Sequence, residues 1–280
     1  MRAKGKIAIA ERLSAAAPAG AEKDPAELTA PAAVRIAGIR HRYGATEVLA
    51  GIDLEVAAGE TVALVGPSGC GKSTLLELVG GLQDLQAGTI AIAGRDSAAA
   101  RTARSTWMPQ SDMLLPWKSA ADNAALALRL AGGDRAGSRR RAAAMLDRLG
   151  LAGFTGRRPD ALSGGMRQRV AFARTLLAGT PVLLLDEPLA ALDAITRAEL
   201  QTWLRDTLAD EARSTLLVTH DVEEALYVAD RAVILSPRPA RVTAIVDSPP
   251  APPGSRADAI SAPAFVAARA AALDALGGTG

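Results

Sequence analysis

Cysteine is almost missing from this 280-residue sequence: Cys70 stands alone, so no internal disulfide can brace the chain and a cysteine-clustered metal scaffold is excluded. Lysine is scarce as well, with five against 27 arginines, which makes each lysine informative. There are only two histidines, His41 and His220. Long apolar runs are lacking. The longest stretches without a charged residue are 11 residues, Thr61–Gly71 and Thr175–Leu185, whereas a bilayer-spanning helix needs about 20. The chain is therefore not expected to cross a membrane. Charge of one sign is also lacking: 32 basic against 30 acidic residues leave a net +2, no electrostatic footprint for nucleic acid. Near the start, Arg2, Lys4 and Lys6 precede an apolar run that Glu11 and Arg12 break, so no export signal is visible and a cytoplasmic location is expected. No internal repeat or sustained heptad appears.

The length suits one large α/β domain or two small ones. Residues 1–30 are Ala-rich without a sustained period and read as a flexible extension. From Val34 to Ile39 and from Ile52 to Val56, alternating segments flank the turn-like Arg42-Tyr43-Gly44, an antiparallel entry to a sheet. Thr61–Val65 is nearly all apolar, as a buried strand requires. Apolar runs at 182–185, 215–218 and 232–235, each preceded by a helical pattern, predict a mostly parallel sheet. Ala120–Leu151, broken at Gly132-Gly133-Asp134, reads as a helical insertion, within a helical subdomain spanning about 111–165. After the main domain, expected over 31–247, residues 248–280 read as a Pro-rich linker and a loosely attached amphipathic helix over Ala262–Leu276.

Directly after the Thr61–Val65 strand comes Gly66-Pro67-Ser68-Gly69-Cys70-Gly71-Lys72-Ser73-Thr74, a match to G-x-x-x-x-G-K-[ST], followed by a helical pattern to about Leu82. Glycines let successive N–H groups turn inward without a Cβ clash, forming an anion nest at a helix N-terminus. Lys72 is then expected to reach the β and γ phosphates and Ser73 to hold magnesium. Cys70 is read as a small residue tolerated in the loop. A second apolar strand, Val182–Leu185, ends in Asp186-Glu187-Pro188. Two carboxylates at a strand's C-terminal edge sit where open α/β sheets bind ligands. Asp186 is expected in the magnesium shell, and Glu187 is expected to polarise the attacking water.

The octet Leu162-Ser163-Gly164-Gly165-Met166-Arg167-Gln168-Arg169 is another anion site in physical terms: Ser163 caps a helix, and Gly164 and Gly165 leave its first N–H groups accessible. Met166, Val170, Ala173 and Leu177 give that helix an apolar face. This octet, about twenty residues before the acidic strand, resembles the signature motif of ATP-binding cassette (ABC) ATPases. The resemblance covers roughly 34–242, with the other motifs in the family's order. It implies a phosphate-loop core of mostly parallel sheet, an antiparallel β subdomain and an inserted helical subdomain. It implies that Tyr43 stacks on adenine, that Gln110 is the loop glutamine that joins catalysis and the metal shell, and that Asp193, in Ala191-Leu192-Asp193, belongs to the loop after the acidic strand. His220 matches the switch histidine contacting the γ phosphate. His41 is assigned to surface packing beside Tyr43.

The same resemblance implies ATP and Mg2+ as ligands and a head-to-tail dimer in which the phosphate loop of one copy faces Ser163, Gly164 and Gly165 of the other. It implies a separate membrane permease, served indirectly by an extracytoplasmic solute-binding protein, with this chain peripheral on the cytoplasmic face. Leu114-Leu115-Pro116-Trp117 lies where such proteins contact the permease, although interior packing of Trp117 is equally compatible with the sequence. Leu-Leu-Pro-Trp, Met166, and Ser236-Pro237-Arg238-Pro239-Ala240-Arg241-Val242 together resemble the nitrate, sulfonate and taurine importer ATPases, a group with relatives that move thiamine-precursor pyrimidines. The cargo itself is not written in the motor. The other class to weigh is a soluble ABC ATPase of DNA repair or translation; such relatives usually carry tandem cassettes, long coiled coils or zinc modules, and none of these is visible here.

Overall fold

The first strands follow from alternation. In the computed structural model, which describes residues 33–190, 194–211, 213–250 and 255–277, β1 (Val34–Tyr43) and β2 (Thr46–Val56) form an antiparallel hairpin. The turn is tighter than the sequence implies, because β2 begins at Thr46 rather than near Ile52. A third strand, β4 (Ala87–Ile92), pairs with the other side of β1, giving the order β2-β1-β4. The expected extension over 1–30 and the Asp193 loop lie outside the described residues.

β1 carries a correction. Strict alternation from Val34 turns His41 outward, yet His41 is buried, at 3% exposure. An irregularity between Ile36 and Ile39, with Gly38 at φ 60°, shifts the phase by one residue, so Ile39 and His41 face inward. His41 meets Tyr43 edge-on, with ring centroids 4.8 Å apart.

The main sheet has six strands in the order β5-β6-β7-β3-β8-β9: β3 (Thr61–Val65), β5 (Ser105–Met108), β6 (Val182–Asp186), β7 (Ser214–Thr219), β8 (Arg231–Leu235) and β9 (Val242–Asp247). All neighbours are parallel except β8 and β9. Both faces are covered, and the period of two sorts each strand between them. Val62, Leu64, Val182, Leu184, Leu216 and Val218 pack toward the three-stranded sheet and helix α1 (Lys72–Val79). Ala63, Val65, Leu183, Leu185, Leu217 and Ile234 pack on the opposite face. Each fully buried Leu or Val there contributes about 1.5–3 kcal/mol of transfer free energy.

Helix α1 stops at Val79, short of the expected Leu82. Gly80 and Gly81 close it: Gly81, at φ 69°, and Leu82 return their N–H groups to Leu78 and Glu77. Next comes α2 (Ala98–Arg104), and between β5 and β6 the chain is helical: α3 (Ala120–Ala124), α4 (Leu126–Leu130), α5 (Arg135–Arg148) and α6 (Gly164–Leu176). Gly132-Gly133 separates α4 from α5, and Asp134 caps α5 through Gly137 N–H at 2.8 Å. α7 (Ala194–Glu211), α8 (Val222–Val228), α9 (Arg256–Ser261) and α10 (Pro263–Gly277) complete the described helices. The last helix is not loosely attached: Phe265 and Ala272 are buried in the core cluster on the α3–α8 side of the sheet. Among the described residues, no helix is long and apolar enough to cross a membrane.

Candidate functional site

The phosphate loop connects β3 to α1, and its glycines are there for two separate reasons. Gly71 adopts φ 125°, and a Cβ there would stand 2.7 Å from Val48 Cγ1 and 2.9 Å from Leu49 Cδ2 of β2. Gly66 has an ordinary φ, but a Cβ would come within 3.0 Å of both the Leu235 carbonyl and Cys70 Sγ. The loop is thus clamped between β2 and the end of β8. No side chain caps α1, whose N-cap is Gly71, so its first N–H groups face the cleft, an arrangement suited to an anion.

Lys72 is buried, and its Nζ donates to the carbonyls of Gly66 at 2.8 Å and Pro67 at 3.1 Å. Cys70 turns its thiol into the core, where burial pushes its pKa up against the opposing pull of Lys72 and Arg238. Its side chain therefore does not face the cleft, and any contact it makes with phosphate is through its backbone.

Strand pairing assembles the rest. β6 runs between β5 and β7, so Asp186 and Glu187 emerge beside Gln110, after β5, and His220, after β7. Ser73 Oγ donates to Asp186 Oδ1 at 3.1 Å. Burial raises the Asp186 carboxyl, Glu187 and Glu77 add to that, and Ser73 and Lys72 pull it down. Glu187 sits at φ 45°. Its Oε2 accepts from Gln110 Nε2 at 3.0 Å, and His220 Nδ1 approaches the same oxygen at 3.4 Å. These groups surround a cleft of about 500 Å³ whose walls include Ser68, Gly69, Gly71, Lys72, Ser73 and Thr74 on one side and Gln110, Glu187 and His220 on the other.

One wall residue is not among those anticipated from the sequence: Arg238. Its signal was a basic residue just past the C-terminal end of a parallel strand, the edge where ligands bind. Besides Cys70, whose thiol turns inward, and Asp186, which stands behind Ser73, the anticipated groups absent from this wall include Tyr43 and the Ser163 helix start. Tyr43 is exposed at the end of β1, and its hydroxyl is held by Gln83 Nε2 at 2.7 Å. Ser163, Gly164 and Gly165 begin α6, with Ser163 Oγ accepting from Met166 N–H at 3.3 Å.

The segment after Gln110 is tied to α6. Arg167 Nε donates to Asp112 Oδ2 at 2.9 Å, and Arg174 donates to the carbonyls of Asp112 and Met113, each at 2.8 Å. Gln168 Nε2 reaches the carbonyl of Pro188 at 2.6 Å. The helix carrying Ser163 thus touches the loops on both sides of Glu187. Trp117 is not interior; it is 66% exposed, with Met113 exposed nearby.

Comparison with known proteins gives the family. The family described as ABC transporter matches residues 49–190. An aliphatic sulfonates import ATP-binding protein, SsuB 2 of Burkholderia cenocepacia (strain HI2424), is 44% identical over 236 residues, 84% of this chain and 84% of that protein. SsuB 1 of Rhodococcus jostii (strain RHA1), of the same description, is 46% identical over 80% of this chain and 86% of its own length. A taurine import ATP-binding protein, TauB of Burkholderia pseudomallei (strain 1710b), is 44% identical over 72% of this chain and 78% of its own. Among solved structures, the dimeric post-hydrolysis state of the ATP-binding cassette MJ0796 bound to ADP and Pi aligns with a TM-score of 0.68 and 27% identity, covering 77% of this chain and 99% of that one. With a phosphate loop, an acidic strand end and a capped Ser-Gly-Gly helix in one α/β fold, and with these relatives, the chain belongs to the ABC transporter family as an ATP-hydrolysing, ATP-binding subunit.

Proposed function

We propose that this chain is the motor of an importer for a small anion of the sulfonate or taurine kind, working as a head-to-tail pair on the cytoplasmic face of a separate permease. The observation that carries the pairing is that the chain holds two helix starts suited to anions, at Gly71 and at Ser163, only one of which lines its own nucleotide cleft. The other is free to meet a second copy's triphosphate. The sulfonate and taurine reading rests on the cargo of the relatives, aliphatic sulfonates and taurine; nitrate and thiamine-precursor pyrimidines belong to the same wider group.

In the hydrolytic step, Glu187 Oε2 takes a proton from the attacking water as the water oxygen bonds to the γ phosphorus and the bond to the β–γ bridging oxygen breaks, releasing ADP. Gln110 and His220, both already directed at Oε2, hold the water and the γ phosphate in line. Lys72 leaves its two carbonyl partners for the β and γ phosphates. Tyr43 supplies an exposed ring for the adenine. The fit for a divalent cation is good. Asp186 is a buried carboxyl that accepts a hydrogen bond from the Ser73 hydroxyl, with Glu187 and Glu77 close enough to act on it, a cluster of hard oxygen donors. Ser73, Asp186 and Gln110 would hold Mg2+, a hard-oxygen set. When bound, the ion neutralises charge on the phosphate oxygens.

The links from α6 to Asp112, Met113 and Pro188 carry changes at Glu187 toward Trp117, whose exposure suits it to docking on the permease. A solute-binding protein would take part only through that permease.

Co-expression with a candidate sulfonate or taurine permease, reconstitution in liposomes and assay of ATP-driven uptake test this reading. Uptake of taurine or an alkanesulfonate that stops with Ser163→Arg, while one-sided ATP binding persists, is the expected result. Co-purification with ribosomes or DNA in place of a hydrophobic permease would overturn the transport role.

A further inference from the structure

The hairpin joining β8 to β9 brings a cation to the cleft that the hydrolytic scheme leaves without work. Arg238 stands exposed at its tip, in the same cleft wall as Lys72 and Ser73. Its Nη2 lies 3.5 Å from the position that a Cβ on Gly69 would occupy. The guanidinium therefore overhangs the middle of the phosphate loop. Its charge also reaches the Cys70 thiol, on which it acts to lower the pKa.

Other arginines around the fold are engaged by carboxylates: Arg231 by Glu60, Arg256 by Glu223 and Arg167 by Asp112. Among the described residues, no carboxylate forms an ion pair with Arg238. A guanidinium directed over a loop of inward-turned N–H groups, beside a buried lysine, adds to a field that attracts polyphosphate.

The hairpin is fixed relative to that loop. Ser236 N–H donates to the Arg241 carbonyl, and Arg241 N–H to Ser236 Oγ, both at 3.0 Å. Ala240 is buried and joins β2 at two points, donating to the Val48 carbonyl at 2.8 Å and accepting from Ala50 N–H at 3.0 Å. Val48 and Leu49 also bear on Gly71, and Leu235 bears on Gly66. One stretch of β2 therefore locates both the phosphate loop and the base of the hairpin. Prolines on either side of Arg238 restrict its backbone further.

We propose that Arg238 is a second phosphate-binding cation of the ATP site, donating from outside the loop to the triphosphate that Lys72 holds from within. The inference rests on the nucleotide-binding reading of this cleft. A planar fork of donors makes charge-assisted bonds to phosphate oxygens, so the residue sets affinity for the polyphosphate part of the ligand. It contributes nothing to recognition of the base.

Calorimetric titration of the full chain with ATP, ADP and AMP tests this on four proteins: the parent, Arg238→Ala, Arg238→Lys and Lys72→Ala. Circular dichroism melting of each checks that it is folded. Arg238→Ala is expected to weaken ATP binding by about tenfold or more, the scale of one lost charge-assisted contact. AMP binding should stay within about twofold of the parent, and Arg238→Lys should recover part of the ATP loss. ATP affinity unchanged in Arg238→Ala while Lys72→Ala loses it would overturn the role of Arg238 and leave the phosphate loop standing. An equal loss for ATP and AMP would also overturn it, because the defect would then not follow phosphate. If Lys72→Ala binds ATP like the parent, both this inference and the nucleotide reading of the cleft fail.

Discussion

Gln110 Nε2 donates to Glu187 Oε2 at 3.0 Å, and the two side chains meet because they follow paired strands, with Met108 opposite Leu185 in the ladder. His220 Nδ1 comes to the same oxygen at 3.4 Å. One carboxylate oxygen is thus the meeting point of three strand ends. Glu187→Gln keeps the shape and removes the proposed base. We expect phosphate release to fall by about 100-fold or more, with the ATP dissociation constant within about threefold of the parent. A colorimetric phosphate assay and calorimetry read the two quantities, and normal steady-state turnover would remove Glu187 as the base.

Gly71 faces two obstacles to substitution: φ 125° and side chains of β2 already at contact distance. Gly71→Ala should cost about 1–3 kcal/mol in urea denaturation and abolish detectable ATP binding. Gly153, with open space around its missing Cβ, is the control. Gly153→Ala should change stability by no more than about 0.5 kcal/mol. Equal effects at both positions would contradict the clamp by β2.

Glu224 is buried, and Gln201 Nε2 donates to its Oε2 at 3.2 Å. Burial is the main reason its pKa is raised. The Gln201 hydrogen bond opposes that, Asp221 adds to it, and Thr219 and Arg197 oppose it further. The folded state therefore keeps this proton after the unfolded chain, whose carboxyl titrates at about 4.5, has lost it. The resulting stabilisation is complete below that pH and disappears as pH rises through the folded value. Urea midpoints across that window should fall with pH in the parent and fall less in Glu224→Gln. Parallel curves for the two proteins would refute the assignment.

Trp117 and Met113 are exposed on the segment that Arg167 and Arg174 fasten to α6. Trp117→Ala should reduce the permease recovered with the tagged chain severalfold, while ATP affinity of the isolated chain stays within about twofold. Undiminished recovery would place the docking surface elsewhere.

Much of this site was legible in the sequence because it depends on backbone shape. Gly69 and Gly71 are fixed at their spacing by positive φ, and two carboxylates must follow an apolar strand to reach the same edge. Features set by partners at long range were not legible. Ser105–Met108 has neither length nor alternation to mark a strand, and becomes one only by pairing with Val182–Leu185. The irregularity at Gly38 inverts the face on which His41 lies. Phe265 anchors a helix behind a proline-rich stretch that by itself reads as a tether. Arg238 enters the cleft only because Ala240 is fastened to β2 far away in the chain.

The left-handed backbone at Glu187 has a conformational cost. A branchless residue would relax φ 45° and leave the Glu187 N–H bond to the Val218 carbonyl, at 2.9 Å, intact. Libraries screened for heat resistance alone will therefore tend to enrich glycine there and yield sturdier proteins that no longer turn over. If Glu187 is the base proposed above, robustness and chemistry are rivals at that position, because the carboxylate sits where the backbone favours glycine.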